Sequence, residues 1–201
     1  MMRHFKNIAA LFFYVVFLSG IFVPASYAIT LMTQDEALHY VFADASDVVE
    51  EKYELDAATL AAVQDRLGGV WVNHEEKGYR ILPPKEITFY FSVKDGKKTD
   101  AAVILEEPGK WGPIQFIVAL DPAGAVANVA VLRYKETRGR PVARNTFLSQ
   151  FFGKTGKDNI RVHEDITGIS GATFSSKAAA FCVRKAIVLY EETVLKKANV
   201  S

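Results

Sequence analysis

The sequence predicts an α+β fold: a twisted antiparallel sheet covered by helices, with a long C-terminal helix and a helical N-terminal front end. Three observations carry this. Alternating apolar runs in the middle of the chain are separated by hairpin turn signals. Residues 175–197 repeat apolar side chains at helical spacing. Two capped, helix-period segments precede the strands.

The front end opens at Thr33, an N-cap residue with Glu36 in the capping-box position, and Ala37, Leu38, Val41 and Phe42 give the helix an apolar side. Residues 56–67 read as a second helix, with Leu60, Val63 and Leu67 in line and Gly68-Gly69 as its stop. The acid-rich stretch 44–54 reads as a solvated face. Residues 70–72 read as a short strand. Residues 87–93 alternate well, Asp95-Gly96 is a turn signal, and 101–105 is the return strand. Residues 115–120 and 126–134 bracket Asp121-Pro122-Ala123-Gly124, a second hairpin signal. Residues 144–152 form a short helix with Phe147, Leu148 and Phe151 on one side. In the last helix Ala179, Cys182, Val183, Ala186, Leu189 and Tyr190 share the inner face, and Lys177, Arg184, Glu191 and Lys196 fall outside.

Ahead of this lies an export-type leader. Arg3, His4 and Lys6 form a basic start, residues 8–23 are almost wholly apolar, and Pro24-Ala25-Ser26-Tyr27-Ala28 offers small residues to a signal peptidase. Residues 1–28 are therefore expected to be a signal peptide cleaved after Ala28, and the rival reading is an uncleaved anchor. Either way the remainder is expected outside the inner membrane, in a periplasm. The roughly 170 residues that follow suit one domain. Residues 29–84 are expected to pack as a helical segment on a main domain at 85–201.

The net charge of +1 gives no sign of nucleic-acid binding. The lone Cys182 cannot form an internal disulfide and falls on an apolar face, the position of an inert thiol. No Cys-x-x-Cys-His is present, so c-type haem is excluded. His39, His74 and His163 lack metal-ligand spacing.

The stretch Ser170-Gly171-Ala172-Thr173 is the most informative. Two small residues precede a hydroxyl at the expected start of the last helix. Helix N-termini present unpaired N–H groups and a partial positive charge, so a backbone here can wrap around a phosphate. The plain alternative is an ordinary Ser/Thr-capped helix start.

The stretch resembles the FMN-binding domain family, as found in the C component of the sodium-pumping NADH:quinone oxidoreductase and the G component of the Rnf complex. The similarity extends over roughly residues 85–192, through Trp111-Gly112-Pro113-Ile114, the Asp121 hairpin, Glu136-Thr137-Arg138-Gly139 and the terminal helix. It implies that Thr173 carries FMN through a phosphoester bond placed there by a flavin transferase. It also implies cofactor contacts from Ser170, Gly171, Ala172, Ser175 and Ser176 around the phosphate, and from Glu136, Thr137 and Arg138 near the ring. For the serines and Lys177, capping or solvent exposure is the alternative. In two places the chain departs from the family pattern. Thr167 stands where an acid usually lies, with Asp165 the nearest acid and Gly168 free to re-present it. Arg138 stands where Pro is frequent.

Around that wall Arg133, Lys135, Arg138, Arg140 and Arg144 form a basic cluster fit to dock an acidic redox partner, with a plain basic surface as the alternative; Arg138, Arg140 or Arg144 equally suit negative charge on reduced flavin. Trp111 is expected to be buried beside its Gly-Pro turn, with stacking near the ring as the alternative. The function implied is an exported flavoprotein that relays electrons between a cytochrome or quinol-linked membrane system and a periplasmic acceptor, more a carrier than a turnover enzyme. The rival readings are a flavin-dependent periplasmic reductase and a non-redox binding or sensory module.

Overall fold

The computed structural model describes residues 29–74, 80–135 and 140–198. The expected leader, residues 1–28, therefore lies outside the described residues, as do Glu136, Thr137 and Arg138.

Six strands form one fully antiparallel sheet in the order β1-β6-β5-β4-β3-β2. They are β1 (Ile29–Thr30), β2 (Asp47–Glu54), β3 (Glu86–Lys94), β4 (Lys97–Pro108), β5 (Pro113–Leu120) and β6 (Val126–Tyr134). The expected α+β architecture is the one observed. Both expected hairpins form. Asp95 and Gly96 take positive φ in the β3–β4 turn. In the β5–β6 turn the Asp121 carboxylate accepts N–H bonds from Ala123 and Ala125 at 2.9 Å each.

The middle strands are buried on both faces, which explains their near-continuous apolar runs. On one face Phe89, Val103, Phe116 and Val118 meet helix α4 (Thr173–Tyr190) and helix α2 (Ala57–Arg66). On the other, Ala102, Ile117, Ala119 and Ala130 meet Ala37, Leu38 and Phe42 of helix α1 (Gln34–Val41) and its C-cap. Thr33 and Glu36 cap α1 reciprocally, and the Asp56 carboxylate caps α2 through the Thr59 N–H at 2.7 Å.

Two sequence expectations differ from the fold. The acid-rich stretch holds an edge strand, β2, paired along its whole length with β3. Val49, Glu51 and Tyr53 alternate onto its half-buried face, while Lys52 reaches Glu86 at 2.9 Å. A charged edge resists pairing with other chains, so the charges that disguised the strand suit its place in the sheet. The front segment is accordingly part strand and part helix. Residues 70–72 form no strand: Trp71 is buried and its carbonyl is taken by the Lys185 ammonium at 3.1 Å.

Helix α4 spans 18 residues and is buried on nearly every side. It continues through a π turn at Glu191–Leu195, where Glu192 pairs with Arg66 of α2 at 3.0 Å. Among the described residues no helix is long and apolar enough to cross a membrane.

Candidate functional site at the start of helix α4

Backbone hydrogen-bonding needs shape the approach to α4. The Asp165 carboxylate gathers the N–H groups of Ile160 and Arg161, at 3.0 and 2.7 Å, and the Lys154 ammonium at 2.9 Å. Partial burial opposes ionisation of Asp165, but these donors outweigh it and hold its pKa below the ordinary carboxylate value. Asp165 thus braces its own loop, and the position three before Ser170 is left to exposed Thr167. The Gln150 carboxamide pins Thr167 from both sides, accepting its N–H at 2.8 Å and donating to its carbonyl at 3.2 Å.

Ser176 closes the next turn. It is fully buried, its hydroxyl donates to the Ala172 carbonyl, and the same oxygen accepts the Ile169 N–H, both at 3.0 Å. Its hydroxyl therefore serves the loop, in line with the capping alternative. Ser175 is also buried, while Ser170 and Gly171 are exposed. Gly171 sits at φ +77° with open space where a Cβ would stand, so the backbone conformation is what requires glycine there.

The N-cap of α4 is Ala172, which makes no side-chain cap hydrogen bond. This differs from the hydroxyl-capped start considered above, and from α1 and α2, whose caps are filled. Helix geometry leaves the N–H groups of Thr173 and Phe174 without intrahelical acceptors. Thr173 is the first residue of the helix and is exposed, so its hydroxyl stands beside these donors at the positive end of the dipole. Ser170, Gly171, Ala172 and Thr173 are thus brought together around one helix start.

Phe174 is 46% exposed and meets the His74 ring edge-on, centroids 5.1 Å apart. Trp111 is 59% exposed, against the expectation of burial, and the Lys110 ammonium lies 5.1 Å from its ring centre. In the same turn Gly112 packs closely on Lys135, and a Cβ there would come within 2.9 Å of that side chain. Arg133 of the expected basic cluster is matched by Glu106 at 2.8 Å, which weakens the case for that cluster as a docking surface. Arg144 is exposed at the cap of a short helix, α3 (Asn145–Leu148).

Beneath the segment 71–74 lies a buried ion pair that the sequence reading missed, Lys185 with Glu107, at 1% and 0% exposure. Glu107 also accepts the Asn73 N–H at 3.0 Å, and the Lys185 ammonium lies 4.6 Å from the Trp71 ring centre. Burial pushes the Glu107 pKa up against the opposing pull of Lys185 and Asn73. A signal existed for one partner: Ala178, Cys182, Lys185 and Leu189 fall on one helical stripe. None existed for the other, because Glu106 and Glu107 differ only in the pleat face they take. Cys182 is buried beside this pair, and burial drives its thiol pKa far up, as suits an inert side chain. Among the described residues no group of three or more His, Cys, Asp or Glu is placed to hold a metal.

Residues 109–188 match the family model of the FMN-binding domain. The chain is 28% identical over 180 residues to the G component of the proton-translocating ferredoxin:NAD(+) oxidoreductase complex of Clostridium ljungdahlii, covering 85% of this chain and 83% of that protein. Its fold is similar to that of NqrC from Shewanella oneidensis, with a TM-score of 0.54 and 19% identity over 86% of this chain and 92% of that one. The solved C component of the Na(+)-translocating NADH-quinone reductase from Parabacteroides distasonis aligns at a TM-score of 0.45 and 18% identity, over 54% of this chain and 62% of that one.

Proposed function

Starting from a chain whose residues 109–188 match the FMN-binding domain family, we propose that it is an exported flavoprotein that relays electrons, with FMN held on Thr173 by a phosphoester bond. The observation that carries this is the start of α4: an exposed Thr173 hydroxyl at an N-terminus whose cap residue, Ala172, offers no side-chain acceptor. A phosphate is the ligand such a start accommodates, because it brings acceptor oxygens and negative charge to unpaired N–H groups. Ser170 and Gly171 form the exposed rim of that cradle, and Ala172 keeps it shallow. Bound there, FMN would supply one- and two-electron chemistry.

The chain's own part is to hold the phosphate, to fix the loop that presents Thr173, and to offer an apolar wall. Ser176, Gln150 and Asp165 hold the loop. Phe174, directly after the motif, and Trp111 are exposed aromatic side chains available for that wall, and Glu136, Thr137 and Arg138 belong to the same reading. Attachment needs a separate flavin transferase, because a threonine hydroxyl is a weak nucleophile without an activating base. Basic residues followed by an apolar run and a small-residue site support export of the part from residue 29 onward. The similarity to a component of a ferredoxin:NAD(+) oxidoreductase complex supports a membrane redox complex as partner, with a cytochrome or quinol-linked system the expected class.

The test is an intact mass of the full chain, co-expressed with a flavin transferase, beside Thr173→Ala, with flavin fluorescence read on a denaturing gel. A gain of one FMN that disappears in the variant is the expected result. Yellow native protein with no mass gain would reduce Thr173 to a phosphate ligand, and no flavin in either form would end the redox reading. Fractionation of the same cells checks export, with recovery in the cytosol as the contrary outcome.

A further inference from the structure

A groove of about 390 Å³ runs along the outer flank of α4, and the flavin reading draws on its lining only at Lys177. Gly68, Val70 and Asn73 border it on one side, Arg161 and Glu164 on the other, with Lys177, Phe181 and Arg184 along the helix. Its volume falls in the range of small-molecule clefts.

Its charges are out of balance. Among the described residues that line it, Arg161, Lys177 and Arg184 face one acid, Glu164, which lies 4.0 Å from Arg161. That leaves two positive charges in excess. Arg184 is half-buried, stacks over Phe181 at 5.0 Å, and has a buried Nε with no hydrogen-bond partner among the described residues. Burial and the neighbouring Arg161 charge both act to lower its pKa. Glu107 and Glu164 act the other way, but Glu107 is already paired with Lys185 and Glu164 lies beside Arg161. A half-buried guanidinium with an unpaired N–H, repelled by a second one, is a costly arrangement for a fold to keep without a partner.

We propose that this groove is a binding site for a small phosphate-bearing ligand. A phosphate monoester brings about two negative charges at neutral pH and three acceptor oxygens. That matches the excess of two cations and the forked donors of Arg161 and Arg184. The site differs from the helix start that holds Thr173: eleven residues along the helix place Arg184 about 16 Å from it. A monocarboxylate would neutralise only half of the excess.

The experiment titrates the full chain, purified in detergent, with pyrophosphate and inorganic phosphate by calorimetry, with acetate and a hexaglutamate peptide as competitors. Saturable phosphate binding that depends on the groove arginines is expected, separate from any uptake at the helix start of Thr173. Arg184→Gln and Arg161→Gln should each weaken it about tenfold or more, the loss of a charged hydrogen-bonding partner. Lys97→Gln, at the start of β4 and outside the groove lining, should leave it unchanged. Without ligand, Arg184→Gln should melt no lower than wild type, since it removes an unpaired buried charge. Arg161 is 60% exposed, so its variant keeps the test open should Arg184→Gln fail to fold. Absence of saturable binding would overturn the proposal. So would equal affinity in wild type and the two arginine variants, or tighter capture of acetate or hexaglutamate than of pyrophosphate.

Discussion

Replacing Lys185 by Met removes one half of the buried pair that ties the segment 71–74 to α4 and β4. Methionine keeps the length of the stem but neither the charge nor the donor. Three things are lost: the ion pair with Glu107, the 3.1 Å hydrogen bond to the Trp71 carbonyl, and the cation over the Trp71 ring. Glu107 has no exposed surface on which to recover solvation. Breaking one side of such a pair costs about 3–5 kcal/mol. For a chain of this size that is a fall in Tm of roughly 6–20 °C.

The pH dependence fixes the mechanism. Burial already holds the Glu107 pKa raised while Lys185 is present. Without the ammonium it rises further, so folding takes up a proton. A raised folded pKa means that stability is fully present below the unfolded carboxyl value, about 4.3, and is lost as pH climbs toward the folded value. The loss runs at about 1.4 kcal/mol per pH unit inside that window. Lys185→Met should therefore melt much closer to wild type at pH 5 than at pH 8. Adding Glu107→Gln, which keeps an acceptor for the Asn73 N–H, should restore much of the loss at pH 8 and remove the added pH dependence. Thermal melts by circular dichroism across pH 5–8 on the three proteins read all of this. A single variant melting within about 2 °C of wild type at pH 8, or a double variant no more stable than the single one, would refute the reasoning.

Three other outcomes follow from the site. Ser176→Ala strands the Ile169 N–H and leaves the Ala172 carbonyl only its bond from the residue-176 N–H, and should cost about 1–3 kcal/mol in urea unfolding, with faster amide exchange at Ile169 than in wild type. Gly171→Ala should cost about 1–2 kcal/mol from its positive φ alone, since no atom lies within 4 Å of the added methyl, and the same urea melts measure it. Asp165 has a depressed folded pKa, so its contribution is present above the unfolded value near 3.9 and is lost as pH falls below it. Asp165→Asn should therefore be less stable than wild type at pH 7, and the two melting curves should converge at acid pH.

Much of the fold was legible because its signals are local. The capping box at Thr33, the Asp-Gly and Asp-Pro-Ala-Gly turns and the helical stripe of α4 act within a few residues of chain. The helix start at Ser170–Thr173 was legible for the same reason: small residues and a hydroxyl ahead of an amphipathic run announce an N-terminus. Charge alternation hid β2, because an edge strand and a solvated face share one composition until a neighbour is known. Partnerships across long stretches of chain were not legible. Nothing local tells Glu107 from Glu106, or says that Lys185 meets a carboxylate brought in on β4. The roles of Ser176 and Asp165 were open in the sequence, since each hydroxyl or carboxylate suits a ligand as well as a backbone amide. Packing decided them, because the nearest unsatisfied donors turned out to be the loop's own. Sequence alone determined where the last helix starts and that small residues and a hydroxyl stand there. Only the tertiary structure decided that Ala172 caps it without a side-chain acceptor, that Thr173 is left open to solvent, and that Arg184 waits half-buried with an unpaired N–H. Each of those depends on which distant groups fill the space around it.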